Sequence, residues 1–112
     1  MKVWIPIYDE RRFQLYQDIN NAPNIIIFDT DNNEYIVKDT SKNTLGEIIQ
    51  FLIDKNISRV ISNVKNDNHH KYMSCKDIVI YKPNLNGNAF FNMDLFMVNE
   101  LKIDKREHWH NK

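Results

Sequence analysis

Two histidines and the single cysteine lie close together in the second half of the chain, where they could bind a metal. His69 and His70 are adjacent, and Cys75 lies five positions after His70. Imidazole and thiolate groups ligate iron and iron–sulfur clusters, so these three residues are the candidate metal ligands. If this segment is a helix, their spacing does not place all three on one face. Two exposed histidines beside an inert thiol remain the alternative.

A second pair of histidines flanks Trp109 near the end of the chain, as His108 and His110. Alternating histidines in a charged segment can bind metal ions. Terminal segments of this composition are more often disordered, however, and the sequence favours that interpretation.

The overall composition limits the class of protein. The 112 residues suffice for one domain, and Lys+Arg and Asp+Glu both number 15, for a net charge of zero. Binding of nucleic acid or an anionic membrane as a main task requires a basic excess, so we predict neither. The single cysteine suits a reducing compartment, and no segment approaches the roughly 20 apolar residues of a membrane span. We therefore expect a cytoplasmic protein.

The elements that would position the candidate ligands follow from hydrophobic patterns. Strands are predicted over residues 2–8, 24–29, 34–38, 58–62 and 78–81, and helices over 45–55, 67–76 and 89–102. The first helix has the strongest signal, because Thr44 and Glu47 match a capping box and an apolar stripe follows. The apolar residues of the last helix exceed one core-facing stripe; most should pack in the core, and a remaining exposed patch would indicate a contact with a protein partner or a second copy of the chain.

The order of elements predicts the fold class. The second and third strands should form a hairpin, and the later strand–helix–strand crossovers imply parallel neighbours. The prediction is an α/β fold with a five-stranded mixed sheet and three helices, in the order β-β-β-α-β-α-β-α. We expect one domain over residues 1–102 and a charged, frayed tail over residues 103–112.

Several segments resemble the nitrogenase iron–molybdenum cofactor-associated family, whose members are small carrier and accessory proteins or domains of cofactor-assembly enzymes. Met1 to Ile7 is similar to the family's first strand, which also carries a proline. Asn21-Ala22-Pro23, followed by Ile25 to Asp29, is similar to its Arg-Ala-Pro and the strand after it. Gly46 to Ile61 and Asp77 to Tyr81 resemble later elements. The resemblance implies a ribonuclease-H-like, three-layer fold.

Two segments differ from the family pattern. Members commonly carry His-Phe-Gly before the Arg-Ala-Pro, where this chain has Asp18-Ile19-Asn20. Members also have a glycine-rich loop after the fourth strand, which lets backbone amides approach a cluster. In this chain that loop runs from Ser62 to Asp67 and contains no glycine.

A ribonuclease-H-like fold raises the question of a nuclease, because phosphoryl transfer by two metal ions requires convergent carboxylates. The acidic candidates are Asp9, Glu10 and Asp29, but the expected position, within the first strand, holds no acidic residue. The chain also has no phosphate-binding loop, His-Glu-x-x-His or nucleophile elbow. We therefore predict that the protein is not an enzyme.

Two functions remain open. In the first, the chain is a non-enzymatic carrier or accessory protein for nitrogenase cofactor biosynthesis and binds an iron–sulfur or iron–molybdenum-type cluster. The resemblance then implies cofactor contacts from Asp18, Asn20, Asn63 and Asn66, with His69, His70 and Cys75 as metal ligands. In the second, the chain is a metal-free interaction or regulatory module on the same scaffold. The resemblance favours the first function, and the two differing segments favour the second.

Overall fold

The structure, a computed structural model, describes residues 1–107. In chain order its elements are β1 (Lys2–Ile7), β2 (Asn24–Asp29), β3 (Glu34–Asp39), α1 (Leu45–Asp54), β4 (Arg59–Ile61), α2 (Asp67–Cys75), β5 (Val79–Tyr81) and α3 (Ala89–Met97). The order agrees with the sequence prediction. Within residues 1–107, none of the helices has the length and apolar character needed to cross a membrane.

The five strands form one mixed sheet in the order β3-β2-β1-β4-β5. β2 is antiparallel to both β1 and β3, whereas β4 and β5 run parallel to their neighbours. Helices α1 and α2 pack on one face of the sheet and α3 packs on the other. The predicted α/β fold with three layers around a five-stranded mixed sheet is therefore confirmed.

Alternating side chains on the central strands supply both hydrophobic cores. Trp4, Ile25 and Ile27 point to the face covered by α1 and α2, while Ile5 and Ile26 point to α3. All five side chains are buried. Because successive residues of a strand point to opposite faces, the run of isoleucines in β2 contributes to both layers. Each buried side chain of this kind contributes roughly 1.5–3 kcal/mol.

Pro6 lies in the central strand, although proline is usually confined to strands at a sheet edge. The carbonyl oxygen of Pro6 accepts a hydrogen bond from the amide of Tyr16 (3.0 Å), so this side of residue 6 faces the loop after β1. The pairing of β1 with β4 extends only to Trp4. No neighbouring strand therefore requires the N–H group that proline lacks.

A polar side chain caps the start of each helix, and the predicted capping box is confirmed. Thr44 and Glu47 form the capping box of α1, and the side chains of Asn66 and Asn88 accept hydrogen bonds from amides in the first turns of α2 and α3. After α1, Asn56 adopts a left-handed conformation with φ 58°. Local polar chemistry thus fixes these boundaries.

Helix α3 is shorter than predicted, because it ends at Met97 rather than near residue 102. Asn99 adopts a left-handed conformation with φ 60°, and the amide of Glu100 donates to the carbonyl of Leu95 (2.8 Å). This arrangement closes a helix even where apolar residues continue beyond it.

The segment after α3 lies along β5 and differs from the frayed tail that the sequence predicts from residue 103. The amide of Lys82 donates to the carbonyl of Lys102 (2.8 Å), and the amide of Asp104 donates to the carbonyl of Ile80 (2.7 Å). The edge of β5 offers unpaired backbone groups, and this segment satisfies them. The remainder of the predicted tail, including His108, Trp109 and His110, lies outside the described residues.

Candidate functional site

The loops that follow β1 and β4 meet at the carboxyl ends of the two strands. The amide of Ile19 donates to the carbonyl of Asn63, and the amide of Lys65 donates to Oδ1 of Asp18, both at 2.9 Å. β1 is the strand at which the chain changes direction across the sheet, with the β4 branch on one side and the β2 branch on the other. In α/β proteins, ligands bind in the crevice at such a position.

The four residues predicted to contact a cofactor belong to these two loops. Asp18 and Asn63 take part in the contacts between the loops, and Asn20 follows Ile19 directly. Asn66 caps α2, where its side-chain oxygen accepts a hydrogen bond from the amide of residue 68 (2.8 Å). The structure therefore places all four at the same end of the sheet.

The side chain of His70 contacts the C-terminal segment. Its side chain is 4% exposed, and Nε2 lies 2.7 Å from the backbone carbonyl oxygen of Asp104. A carbonyl oxygen only accepts, so Nε2 carries the proton in this contact. The other ring nitrogen, Nδ1, lies 3.4 Å from the hydroxyl of Ser74. His70 thus joins α2 to the segment that covers β5.

His69 and Cys75 lie apart along α2. His69 is in the first turns, half-buried, and its Nδ1 atom is buried without a hydrogen-bond partner among residues 1–107. Cys75 is exposed at the last residue of the helix. Six residues of helix separate the two Cα atoms by about 9 Å along its axis.

The predicted ligands therefore do not converge. Within the described part of the chain, no group of three or more His, Cys, Asp or Glu side chains could hold a metal ion. Proteins usually hold iron–sulfur clusters through several cysteine thiolates. The residues present do not fit a permanently bound cluster whose ligands all come from this chain.

An ionic network, which the sequence analysis does not predict, organises the start of α2. Arg106 donates to both carboxylate oxygens of Asp104, to Asp67 in the first turn of α2 (2.7 Å), and to the carbonyl of Val64. The hydrogen bond to Asp104 raises the pKa of the Arg106 guanidinium, which stays cationic. Through Arg106, the C-terminal segment therefore fixes the loop of residues 62–66. The only sequence signal was the alternation of Asp104 and Arg106 in an apparent tail.

Asn92 is a second residue that the sequence analysis did not single out. It is fully buried in α3, where its side chain accepts from the amide of Asn84 (2.7 Å) and donates to the carbonyls of Asn84 (3.0 Å) and Asn88 (2.9 Å). These bonds fix the loop after β5, at the same carboxyl edge. A polar residue between Phe91 and Met93 on a predicted apolar helix was the available signal.

The carboxylates considered for a nuclease are not brought together. Asp9 follows β1, where the amides of Arg12 and Arg11 donate to its side chain and hold its pKa below the usual 3.8. Asp29 pairs with Lys2 at the other end of β1. The two carboxylates therefore lie at opposite ends of the sheet.

Helix α3 leaves part of its apolar surface exposed. Phe91 is 43% exposed and Met97 is 57% exposed, whereas Phe90 and Met93 pack against the sheet. The excess of apolar residues noted in the sequence thus divides between the core and the surface.

Comparison with known structures identifies proteins of the same fold. An NMR structure from Thermotoga, described as a candidate NifB protein of the DUF35 family, has a TM-score of 0.76 and 21% identity, covering 96% of this chain and 98% of that chain. The apo form of the orange protein from Desulfovibrio gigas has a TM-score of 0.79 and 7% identity, covering 92% of each chain. No family model and no curated protein matches the sequence. Identities this low establish a common fold alone.

Proposed function

We propose that this chain is a non-enzymatic accessory protein, related to those of nitrogenase cofactor assembly, that carries an iron–sulfur or iron–molybdenum-type cluster as cargo. The observation that supports this most is the pair of joined loops, residues 18–20 and 62–66, at the carboxyl ends of β1 and β4. The whole-length likeness to a candidate NifB protein supports an accessory role.

The incomplete ligand set is compatible with a carrier. A resident cluster needs several strong ligands, whereas cargo must be released to the next protein. His69 supplies one imidazole whose Nδ1 atom no residue among 1–107 engages, beside the loop of residues 62–66. The side-chain amides of Asn63 and Asn66 can donate hydrogen bonds to the sulfide atoms of a cluster. Such hydrogen bonds strengthen the binding of the cluster.

Anaerobic reconstitution with iron and sulfide tests the proposal. We expect stoichiometric iron and sulfide-to-iron charge-transfer bands in the wild type. The His69→Ala variant should bind at least about tenfold more weakly, because it loses the candidate ligand. Cys75→Ala is the matched control, since Cys75 is exposed at the far end of α2. Iron binding that depends on Cys75, or that ignores His69, would contradict the proposed site.

A second function is a metal-free interaction module on the same scaffold. The specific observation in its favour is that His69, His70 and Cys75 do not converge, and that His70 contacts Asp104. In the reconstitution experiment, a folded wild-type protein that binds no iron supports this alternative and rejects the cluster carrier.

A further inference from the structure

Strand β3 forms an open edge of the sheet. Within residues 1–107 it pairs only with β2, and five of its six residues are exposed, with Val37 half-buried. Tyr35 is 47% exposed and Ile36 is 58% exposed. An edge of this length with apolar side chains offers unpaired backbone groups to another strand.

The register of the hairpin shows which backbone groups point outward. The amide of Thr40 donates to the carbonyl of Pro23 (3.0 Å), immediately beyond the pairing of Asp39 with Asn24. Hydrogen-bonded and non-hydrogen-bonded pairs alternate along antiparallel strands. The N–H and C=O groups of even-numbered residues therefore face β2, and those of Tyr35 and Val37 face away from it.

We propose that a second copy of this chain pairs with β3, antiparallel, about a two-fold axis at Ile36. In this register Tyr35 of each copy lies opposite Val37 of the other, and all four carry outward backbone groups, so they form hydrogen-bonded pairs. Ile36 lies opposite its own counterpart in the other copy. The two β3 strands thus join two five-stranded sheets into one continuous sheet.

Charge complementarity argues for a second copy as the occupant. In this register Glu34 of each copy lies opposite Lys38 of the other, so the dimer contains two pairs of opposite charges on one face. A shift by two residues in one direction places Lys38 opposite Ile36, and a shift in the other places Glu34 opposite Ile36. Of these three registers, only the one centred on Ile36 places opposite charges together and apolar side chains together.

The surrounding surface also suits this arrangement. Glu34 and Ile36 line a groove of about 260 Å³ between β3 and α1, together with apolar Phe51 and Ile57 and charged Lys2, Asp29 and Lys55. The ammonium of Lys38 lies 5.1 Å from the ring centre of Phe51, on the same face. The Ile36 side chain of a second copy would therefore lie beside Ile36 and the apolar part of this groove, with charged side chains at its rim.

A lysine on an edge strand often prevents strand pairing, because it would be brought beside another strand without an opposite charge. Glu34 removes this obstacle to pairing when the other strand is β3 of a second copy. Against a copy of itself in antiparallel register, the lysine meets a carboxylate, whereas most other strands would leave it unmatched. The same two residues thus favour self-association and disfavour other strands.

Charge reversal tests the dimer directly. Sedimentation of the wild type over a concentration series should reveal a monomer–dimer equilibrium. Glu34→Lys and Lys38→Glu should each weaken it at least about tenfold, because each creates two like-charged pairs. An equimolar mixture of the two variants should form a heterodimer, and the double reversal Glu34→Lys/Lys38→Glu should restore self-association.

The matched control is Glu10→Lys, which makes the same charge change at an exposed loop residue and should leave the dimer unchanged. Protection of the Tyr35 and Val37 amides from hydrogen exchange, rising with protein concentration, would locate the interface. A wild type that stays monomeric throughout the series overturns the proposal. So does association that both single reversals leave intact, or a mixture that fails to form the heterodimer.

Discussion

The two edges of the sheet differ in how their backbone groups are satisfied. Residues 102–104 lie along β5, with hydrogen bonds on both sides of the Tyr81–Ile103 bridge. No segment among residues 1–107 lies along the outer side of β3. Both strands face the same requirement, since an uncovered edge invites pairing with another chain. At β5 a segment of the same chain covers the edge. At β3 the outer backbone groups remain available to another strand.

The cover on β5 depends on buried polar contacts rather than on apolar packing. Asp104 is 8% exposed and bonds to Arg106 through its carboxylate and to His70 through its carbonyl. Ile103, in contrast, is 43% exposed. A short, polar segment can therefore close a sheet edge when one buried carboxylate fixes it. The segment also supports the loop of residues 62–66 through Arg106, so the covered edge and the candidate site are linked.

Removing this carboxylate should have the largest effect. Asp104→Ala removes the buried carboxylate that accepts two hydrogen bonds from Arg106 and lies 3.8 Å from Nε2 of His70, and we expect the free energy of unfolding to fall by about 2–4 kcal/mol. Urea unfolding near neutral pH measures the loss, and amide exchange of Lys82 should accelerate as the edge opens. Asp67→Ala is the control, because Asp67 is 80% exposed and its ion pair should contribute less than about 1 kcal/mol. Equal losses in the two variants would show that Asp104 does not fix the cover.

The sequence predicts the layers of the fold because those layers depend on local patterns. The capping box at Thr44 and the isoleucines of β2 each identify their element without knowledge of the rest of the chain. The covering segment is different, since Asp104 and Arg106 acquire their meaning only from residues 64 to 80, far away in sequence. A charged segment with such remote partners cannot be distinguished locally from a frayed tail.

The candidate site also contains one part that the sequence predicts and one part that it does not. The loops containing Asp18 and Asn63 follow from the order of strands, because the carboxyl ends of β1 and β4 must lie side by side. The positions of His69, His70 and Cys75 around α2 depend on the helix rotation and on the contact of His70 with Asp104. Spacing alone indicated that the three do not share a face, but it could not show which histidine is engaged.

The same substitution at each edge should sharpen the comparison. Ile80→Val in β5 removes a methylene from a side chain that is 2% exposed, and we expect a loss of about 1 kcal/mol. Ile36→Val in β3 alters an exposed side chain and should change monomer stability by less than about 0.5 kcal/mol. Thermal unfolding of dilute samples measures both. A larger effect at Ile36 would indicate that the outer side of β3 is already packed in the monomer.

The smallest effect concerns the end of β3, where Asp39 is exposed. Hydrogen bonds from the hydroxyl and then the amide of Ser41 hold the pKa of Asp39 below its usual 3.8. Because the pKa is lower in the folded protein, this contact stabilises the turn above pH 3.8 and is lost as the pH falls through the folded pKa. NMR titration of the carboxyl group should show the lowered pKa, and Ser41→Ala should move it back toward 3.8. A pKa unaffected by this substitution would mean that the Ser41 hydroxyl does not bond to Asp39, since the backbone amide of residue 41 remains in the variant.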